Sequence, residues 1–333
     1  MTGAVEVKIE GISLGISGDP EMLLKALNGQ LPVAKTMPSP ASAKPSLVDG
    51  LMPSKGVVML YGTEGSFKTY VALDLAFHIA LGRPWIDRPV TRGDVVYLGA
   101  EDPEGLGLRR TAWLLHHGVS ESEIAPHFKA IEDTPDFTQR RGKDAANLER
   151  LIRFVSPEAR LIIIDTAQAV ARGVDLNPPH GEAVMGNCED LAARLNATVL
   201  LVHHPRKDSP TVMNGSGVFG RNAENLWNMR HREGLPFADL EVVRKAKTVG
   251  RVGDRFRFNL EYVELPGFFD HGKLMKSSTV SKREQLPDRQ PKAETSPEPK
   301  TSNAGDAKRS KATERKRRQR ERERAAITVS IGE

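Results

Sequence analysis

Cysteine is almost absent from this sequence, since Cys188 is the only one in 333 residues. A single cysteine excludes an internal disulfide and any zinc cluster built on several cysteines. No apolar run approaches the roughly 18 residues that a membrane-spanning helix requires, and the first residues lack the charged-then-apolar pattern of a signal peptide. We therefore expect a cytoplasmic protein without a membrane partner, in which Cys188 is a structural residue within a helix.

Basic residues are concentrated towards the C-terminal end. Residues from 271 onward contain 17 Lys/Arg and 9 Asp/Glu, a net charge of +8, which leaves −3 for residues 1–270 out of the formal total of +5. This asymmetry favours a polyanionic partner such as nucleic acid, reached through the tail. Between residues 308 and 324 there are ten Lys/Arg against three Glu. The alternative to a DNA-binding tail is a solvated, partly helical extension. The candidates for salt-sensitive DNA contacts are Arg315, Lys316, Arg317 and Arg318.

Composition divides the chain into three parts. Residues 1–45 form an N-terminal arm or linker, with Pro, Ala, Ser and Lys clustered over residues 31–46. This arm either reaches a neighbouring subunit or is a loosely ordered leader. Residues 46–269 have the pattern of a folded domain, and residues 270–333 are expected to be a disordered basic tail. A potential helix over 311–326 lacks an apolar face, so it would form only when bound.

Within residues 46–269, apolar runs of strand length alternate with amphipathic runs of helix length. Closely spaced short strands follow after residue 221. This order predicts an α/β fold: a mostly parallel sheet with helices on both faces and antiparallel strands at the C-terminal edge. The predicted strands cover residues 57–61, 94–100, 127–131, 160–165, 197–204, 224–230, 238–244 and 255–263, and the predicted helices cover 67–81, 105–117, 145–155 and 182–195.

The first of these strands leads into a phosphate-binding loop. Gly62, Lys68 and Thr69 have the spacing at which loop amides surround an anion, a lysine reaches the β- and γ-phosphates, and a hydroxyl contacts Mg²⁺. Phe67 stands where a glycine would let the backbone approach the phosphates with least hindrance, which weakens the case for fast turnover, although its backbone N–H is still present. The remaining candidates for nucleotide binding are Gly65, Ser66, Phe67 itself and Tyr70.

Polar side chains follow three further strands. Asp165 ends an apolar strand, where a carboxylate can hold Mg²⁺ through water. Glu101 is the candidate base that orients the attacking water, with Asp102 as its alternative. His203 and His204 end another strand and can contact the γ-phosphate. Adjacent strand residues point to opposite faces, so a metal site is disfavoured, while a purely structural histidine pair stays open.

Taken together, these segments resemble the RepA-like branch of the RecA-type hexameric helicases, the ATPases of plasmid and phage replication modules. The resemblance covers about residues 46–265 and implies a RecA-like fold, bound ATP and Mg²⁺, and a homo-oligomeric, six-membered ring moving on single-stranded DNA. It implies a primase or initiator protein made elsewhere as partner. The segments that carry it are residues 60–69, 97–101, 163–166, 202–204, 215–217 and 245–247.

The resemblance also implies roles for individual residues. Lys68 and Thr69 would bind phosphate and Mg²⁺, Glu101 would activate water, Asp165 would hold the metal through water, and His204 or His203 would sense the γ-phosphate. A basic finger reaching the neighbouring subunit's nucleotide would be Lys245, Lys247 or Arg251, although the two lysines could equally lie on an exposed strand edge.

The same resemblance implies two DNA-contacting pore loops, residues 171–181 and 207–221. The alternative is that both are ordinary mobile loops. The first offers only Arg172 and His180. The second segment and its flank suit phosphate contacts. Its candidate DNA-binding residues are Arg206, Lys207, Asn214, Ser216 and Arg221.

Two other classes of function stay open. One is a RecA-like DNA-dependent ATPase that loads or remodels replication or recombination proteins without unwinding DNA. Another is a non-catalytic DNA-binding accessory whose nucleotide site is structural. A small-molecule kinase is disfavoured because no acceptor-site lid is evident after Asp165.

Overall fold

The computed structural model of this chain describes residues 4–9, 12–17, 46–99, 101–206, 209–213, 217–245 and 251–287. At residues 4–9, 12–17, 206, 209–213, 244 and 245 it describes the backbone only. Backbone contacts separate a unit of residues Met1–Gln285 from a second unit, Leu286–Glu333, of which Leu286 and Pro287 are described. No helix among the described residues has the length and apolar character needed to cross a membrane.

The strands form one large sheet and two small pairs. Numbered along the chain, the described strands are β1 (Ala4–Ile9), β2 (Ile12–Ser17), β3 (Gly56–Gly62), β4 (Asp94–Leu98), β5 (Phe128–Ile131), β6 (Ala159–Ile164), β7 (Thr198–His203), β8 (Pro205–Arg206), β9 (Ser209–Met213), β10 (Asn225–His231), β11 (Phe237–Lys245), β12 (Arg255–Asp270) and β13 (Lys273–Leu286).

The large sheet has nine strands in the order β13-β12-β11-β10-β3-β7-β6-β4-β5. All neighbours from β10 to β5 pair in parallel, whereas β11 pairs antiparallel with both β10 and β12. The described helices are α1 (Lys68–Leu81), α2 (Pro103–His117), α3 (Glu121–Ile124), α4 (Lys143–Val155), α5 (Ala167–Val170), α6 (His180–Leu195) and α7 (Val218–Asn222). The predicted fold class is thereby confirmed.

Apolar residues cover both faces of the sheet. Val58 and Leu60 of β3 belong to the same buried cluster as the apolar residues of α1, whereas the alternate residues Val57 and Met59 belong to a second cluster with α6. Successive side chains of a strand point to opposite faces, so the two clusters lie on opposite sides. Cys188 is buried in the second cluster as part of α6, as its sequence context indicated.

Helix α1 is buried on nearly all sides. Leu240 of β11 and Phe256 and Phe258 of β12 join its apolar cluster, and the Trp85 ring packs against that of Phe258 at a centroid distance of 5.5 Å and a tilt of 33°. A helix that is apolar all round needs such cover. The antiparallel strands therefore fix the helix whose first turn carries Lys68.

Ordered structure continues past residue 269, so the boundary set there from composition is too early. His271 and Gly272, with φ of 44° and 77°, turn the chain from β12 into β13, as paired left-handed residues do in tight hairpins. Strand β13 is an edge strand rich in Lys and Ser, and its polar composition resembles that of a disordered segment. Residues 288–333, with the potential helix over 311–326, lie outside the described residues.

The N-terminal segment contains an antiparallel pair that the sequence analysis did not predict. Strands β1 and β2 pair Val5 with Ile16, Val7 with Leu14 and Ile9 with Ile12. The sequence alternates apolar and other residues over both strands, which is the period expected of strands.

Candidate active site

The loop between β3 and α1 is shaped by close contacts with neighbouring backbone. A Cβ added at Gly62 would lie 2.5 Å from the Met229 carbonyl oxygen of β10, so only glycine fits. Ser66 is fully buried, and its Oγ donates to the Thr63 carbonyl oxygen at 2.7 Å. Gly65 has φ of 71° and open space around it. These contacts hold the loop as a compact turn over the start of α1.

Lys68 lies inside this turn. Its Nζ donates to the carbonyl oxygens of Gly62 at 2.9 Å and Thr63 at 2.8 Å. Burial lowers the pKa of Lys68, although the charges of Asp165 and Glu101 oppose the shift. An ammonium held by loop carbonyls can exchange them for phosphate oxygens, as the proposed role requires.

One carboxylate oxygen of Asp165 accepts hydrogen bonds from two hydroxyl groups. Thr69 Oγ1 and Tyr97 Oη donate to Asp165 Oδ2 at 2.8 Å and 2.7 Å. Burial, and then the charge of Asp165, raise the pKa of Tyr97 well above its usual value, so the phenol stays a donor. Strand β6, which Asp165 follows, pairs with β4, which contains Tyr97, and the two side chains therefore meet at the same sheet edge.

The oxygen donors of Thr69 and Asp165 suit Mg²⁺, which prefers hard oxygen ligands and keeps several waters. Among the described residues, no group of three or more His, Cys, Asp or Glu could hold a metal on its own. This donor set therefore fits a Mg²⁺ ion that takes most of its ligands from phosphate and water.

Glu101 and Asp102 have different surroundings. Asp102 is the N-cap of α2: its Oδ1 accepts from Gly105 N at 2.9 Å and its Oδ2 from Arg109 at 2.9 Å. The Gly105 amide, and then Arg109, lower the pKa of Asp102. Partial burial, and then the nearby charge of Asp165, raise the pKa of the Glu101 carboxyl. Asp102 is thus occupied in capping, and Glu101 is the carboxylate that faces the loop.

The two histidines separate in the structure. His203 is buried and packs against Phe219 of α7 at a ring-centroid distance of 5.0 Å. His204 is half-buried, and burial together with the charge of Lys68 lowers its pKa, while Asp165 and Glu64 oppose the shift. His204 is therefore the histidine on the side of the phosphate-binding loop.

Phe67 adopts the left-handed conformation, with φ of 66° and ψ of 20°, directly before α1. Its ring centroid lies 4.4 Å from that of His231 and 6.0 Å from that of Tyr70. Arg109 lies over the Tyr70 ring at 5.4 Å. Tyr70 thus connects the first turn of α1 with the second turn of α2.

The predicted finger and DNA-binding residues are only partly described. Arg251 is exposed shortly before β12, and Arg221 is exposed in α7. Lys245 is the last residue of β11 and Arg206 the last of β8, a strand paired antiparallel with β9. The predictions that lie outside the described residues concern Lys207, Asn214, Ser216, Lys247, Arg315, Lys316, Arg317 and Arg318.

Sequence reasoning missed two residues of this region, Tyr97 and His231. A tyrosine within an otherwise aliphatic strand, four residues before Glu101, was the signal available for Tyr97. His231 gave no comparable signal, because its contact with Phe67 joins residues far apart in sequence.

Residues 23–210, more than half of the chain, match the model of the AAA domain family, AAA_25. No curated protein matches the sequence. A KaiC-like protein of the hyperthermophilic archaeon Pyrococcus horikoshii OT3 is similar in structure, with a TM-score of 0.47 and 15% identity over 66% of this chain and 93% of that one. The RadB recombinase is similar with a TM-score of 0.44 and 17% identity, over 61% and 86% of the two chains.

Proposed function

The chain belongs to the AAA domain family of P-loop ATPases, and from that premise we propose an ATP-dependent DNA helicase or translocase acting on single-stranded DNA in plasmid- or phage-type replication. The observation that carries the proposal is the convergence of Lys68, Thr69, Glu101 and Asp165 at the carboxyl ends of β3, β4 and β6. In parallel α/β sheets this edge is where ligands bind.

Each of these side chains has a task in ATP hydrolysis. Lys68 would bind the β- and γ-phosphates, and Thr69 with Asp165 would hold Mg²⁺, Asp165 through water. When bound, Mg²⁺ would neutralise charge that develops on the phosphates. The raised pKa of Glu101 brings its carboxylate closer to the range in which a general base works best. In this proposal Glu101 would orient the attacking water, and His204 would sense the γ-phosphate.

The proposal extends to assembly and DNA. A homo-oligomer, hexameric by the RepA-like resemblance, would place Lys245, Lys247 or Arg251 at the neighbouring subunit's nucleotide. Arg206, Lys207, Asn214, Ser216 and Arg221 would contact single-stranded DNA in the pore, and the arm over 1–45 and the tail after β13 would serve contacts outside the ATPase domain. A separate chain would supply the primase or initiator.

The test is ATP hydrolysis with and without single-stranded DNA, followed by strand displacement on a forked duplex. We expect DNA to raise turnover, and ATP to drive unwinding by the wild type but not by Lys68→Ala. Tyr262→Ala, an exposed side chain of β12, is the matched control and should behave as wild type. If DNA stimulates ATP hydrolysis but no strand is displaced, the helicase proposal is wrong and a loading or remodelling ATPase takes its place.

A further inference from the structure

The loop before α1 contains a residue in a conformation that side chains rarely adopt. Phe67 has φ of 66°, and its carbonyl oxygen accepts the first hydrogen bond of α1, from Val71 N at 3.1 Å. Glycine enters this conformation readily, whereas a bulky L-residue there is an outlier held by its surroundings. The structure must therefore supply contacts that keep Phe67 in place.

Those contacts come from an aromatic pair on two elements. The His231 ring lies 4.4 Å from the Phe67 ring with an interplanar angle of 54°, and Tyr70 meets it edge-on at 6.0 Å and 75°. His231 Nδ1 is 2.9 Å from the Phe237 carbonyl oxygen at the start of β11, which fixes the imidazole. The Phe67 ring is thus held between α1 and the end of β10.

The same strand also fixes the other end of the loop. Met229 of β10 pairs with Gly62 in the parallel ladder, and its carbonyl oxygen excludes any side chain there. Met229 and His231 are two residues apart, so their side chains lie on one face of β10. Both ends of the loop, Gly62 and Phe67, are therefore set by a single strand.

We propose that Phe67 and His231 are positioning residues that hold the loop in its phosphate-binding conformation before ATP arrives. This inference rests on the proposed function, because it concerns the same loop. A glycine at position 67 reaches the same φ but can also adopt many other backbone conformations. A phenylalanine whose ring packs against β10 can adopt few. Preorganisation of this kind reduces the ordering cost of binding. Phe67 then strengthens ATP binding.

Phe67→Gly separates the anchor from backbone strain, because the two effects predict opposite results. If the ring only strains the backbone, glycine relieves the strain and ATP binds as tightly or more tightly. If the ring is an anchor, loss of an aromatic contact weakens MgATP binding by about tenfold. Affinity is measured by isothermal titration calorimetry, with the melting temperature without nucleotide measured beside it.

His231 variants supply the second measurement. His231→Phe keeps a ring against Phe67 and should retain most of the affinity, whereas His231→Ala should lose about as much as Phe67→Gly. The double variant should lose no more than Phe67→Gly alone, because Phe67→Gly already removes the contact between the two rings. If Phe67→Gly unfolds below the assay temperature, His231→Ala with an unchanged residue 67 carries the test.

The outcomes separate this inference from the proposed function. Unchanged or tighter ATP binding by Phe67→Gly or by His231→Ala would overturn the anchor alone, as would additive losses in the double variant. Failure of the wild type to bind ATP, or equal binding by Lys68→Ala, would overturn both. Phe269→Ala, an exposed aromatic residue of β12, is the control and should bind ATP as the wild type does.

Discussion

At the scale of the residue, His203 and His204 are adjacent in sequence but have different surroundings. His203 is the last residue of β7 and packs against Phe219 of α7, whereas His204 follows the strand, is half-buried and has a pKa that responds to the charges of Lys68 and Asp165. Successive side chains of an extended chain point in opposite directions. One histidine therefore belongs to the core and the other to the candidate active site.

Alanine variants should separate these two tasks. His204→Ala should lower ATP turnover about 10- to 100-fold, the loss expected for one hydrogen bond to a charged group, with little change in melting temperature. His203→Ala should instead lower the free energy of unfolding by about 1–3 kcal/mol. Steady-state kinetics and urea unfolding on both variants measure this, and equal losses of turnover would contradict the assignment.

At the scale of the element, an ion pair with a buried carboxylate of α1 links β13 to that helix. Asp74 of α1 is fully buried and accepts from the indoles of Trp85 at 2.8 Å and Trp113 at 2.9 Å, and its carboxylate pairs with Arg283 of β13. Although burial opposes it, the Arg283 contact holds the pKa of Asp74 below its usual value. The hairpin is thus tied to the helix that begins at Lys68.

Arg283→Met should leave the Asp74 charge unpaired in the core. Loss of one partner of a buried ion pair costs about 3–5 kcal/mol of unfolding free energy, measurable by urea denaturation. Lys282→Met is the matched control, because the Lys282–Glu284 pair is exposed and surface pairs contribute at most about 1 kcal/mol. Equal stability of the two variants would show that Arg283 does not fasten the hairpin.

The histidine beside this pair predicts a dependence on pH. Burial, and then the charge of Arg283, lower the pKa of His117 from 6.5 to about 4. Between these values the unfolded chain binds more protons than the folded one, so stability falls as the pH falls from about 6.5 to about 4. His117→Gln should flatten the slope of unfolding free energy against pH in this window. An unchanged slope would exclude His117 as its source.

For the whole molecule, the sequence predicts the features that depend on neighbouring residues, but not the contacts between residues far apart in the chain. The spacing of Gly62, Lys68 and Thr69 and the apolar run before Asp165 predicted which strand ends meet, because local periodicity sets strands and helices. The conformation of Phe67 depends on His231, and the order of β13 depends on Asp74, 209 residues away. Such contacts leave no local sequence pattern, and the composition of β13 alone therefore predicts disorder.

The basic tail gives a prediction at this scale. Replacing Arg315, Lys316, Arg317 and Arg318 by Gln should weaken binding of single-stranded DNA and reduce the slope of log affinity against log salt by about 3, at about 0.7 per lost charge. Hydrolysis without DNA should not change. The control replaces the exposed lysines of β13, Lys273, Lys276 and Lys282, by Gln. An unchanged slope of log affinity against log salt in the tail variant would show that these four residues do not contact DNA.

The most direct test is ATP hydrolysis by the wild type, Glu101→Gln and Asp102→Asn, with MgATP affinity measured on the same preparations. We predict turnover by the wild type, a loss of at least about 100-fold in Glu101→Gln, as expected for a general base, and unchanged ATP affinity in that variant. Asp102→Asn, which alters the cap of α2 and the pair with Arg109, should hydrolyse ATP near the wild-type rate. Absence of turnover in the wild type, or wild-type turnover in Glu101→Gln, would contradict an ATPase at this site.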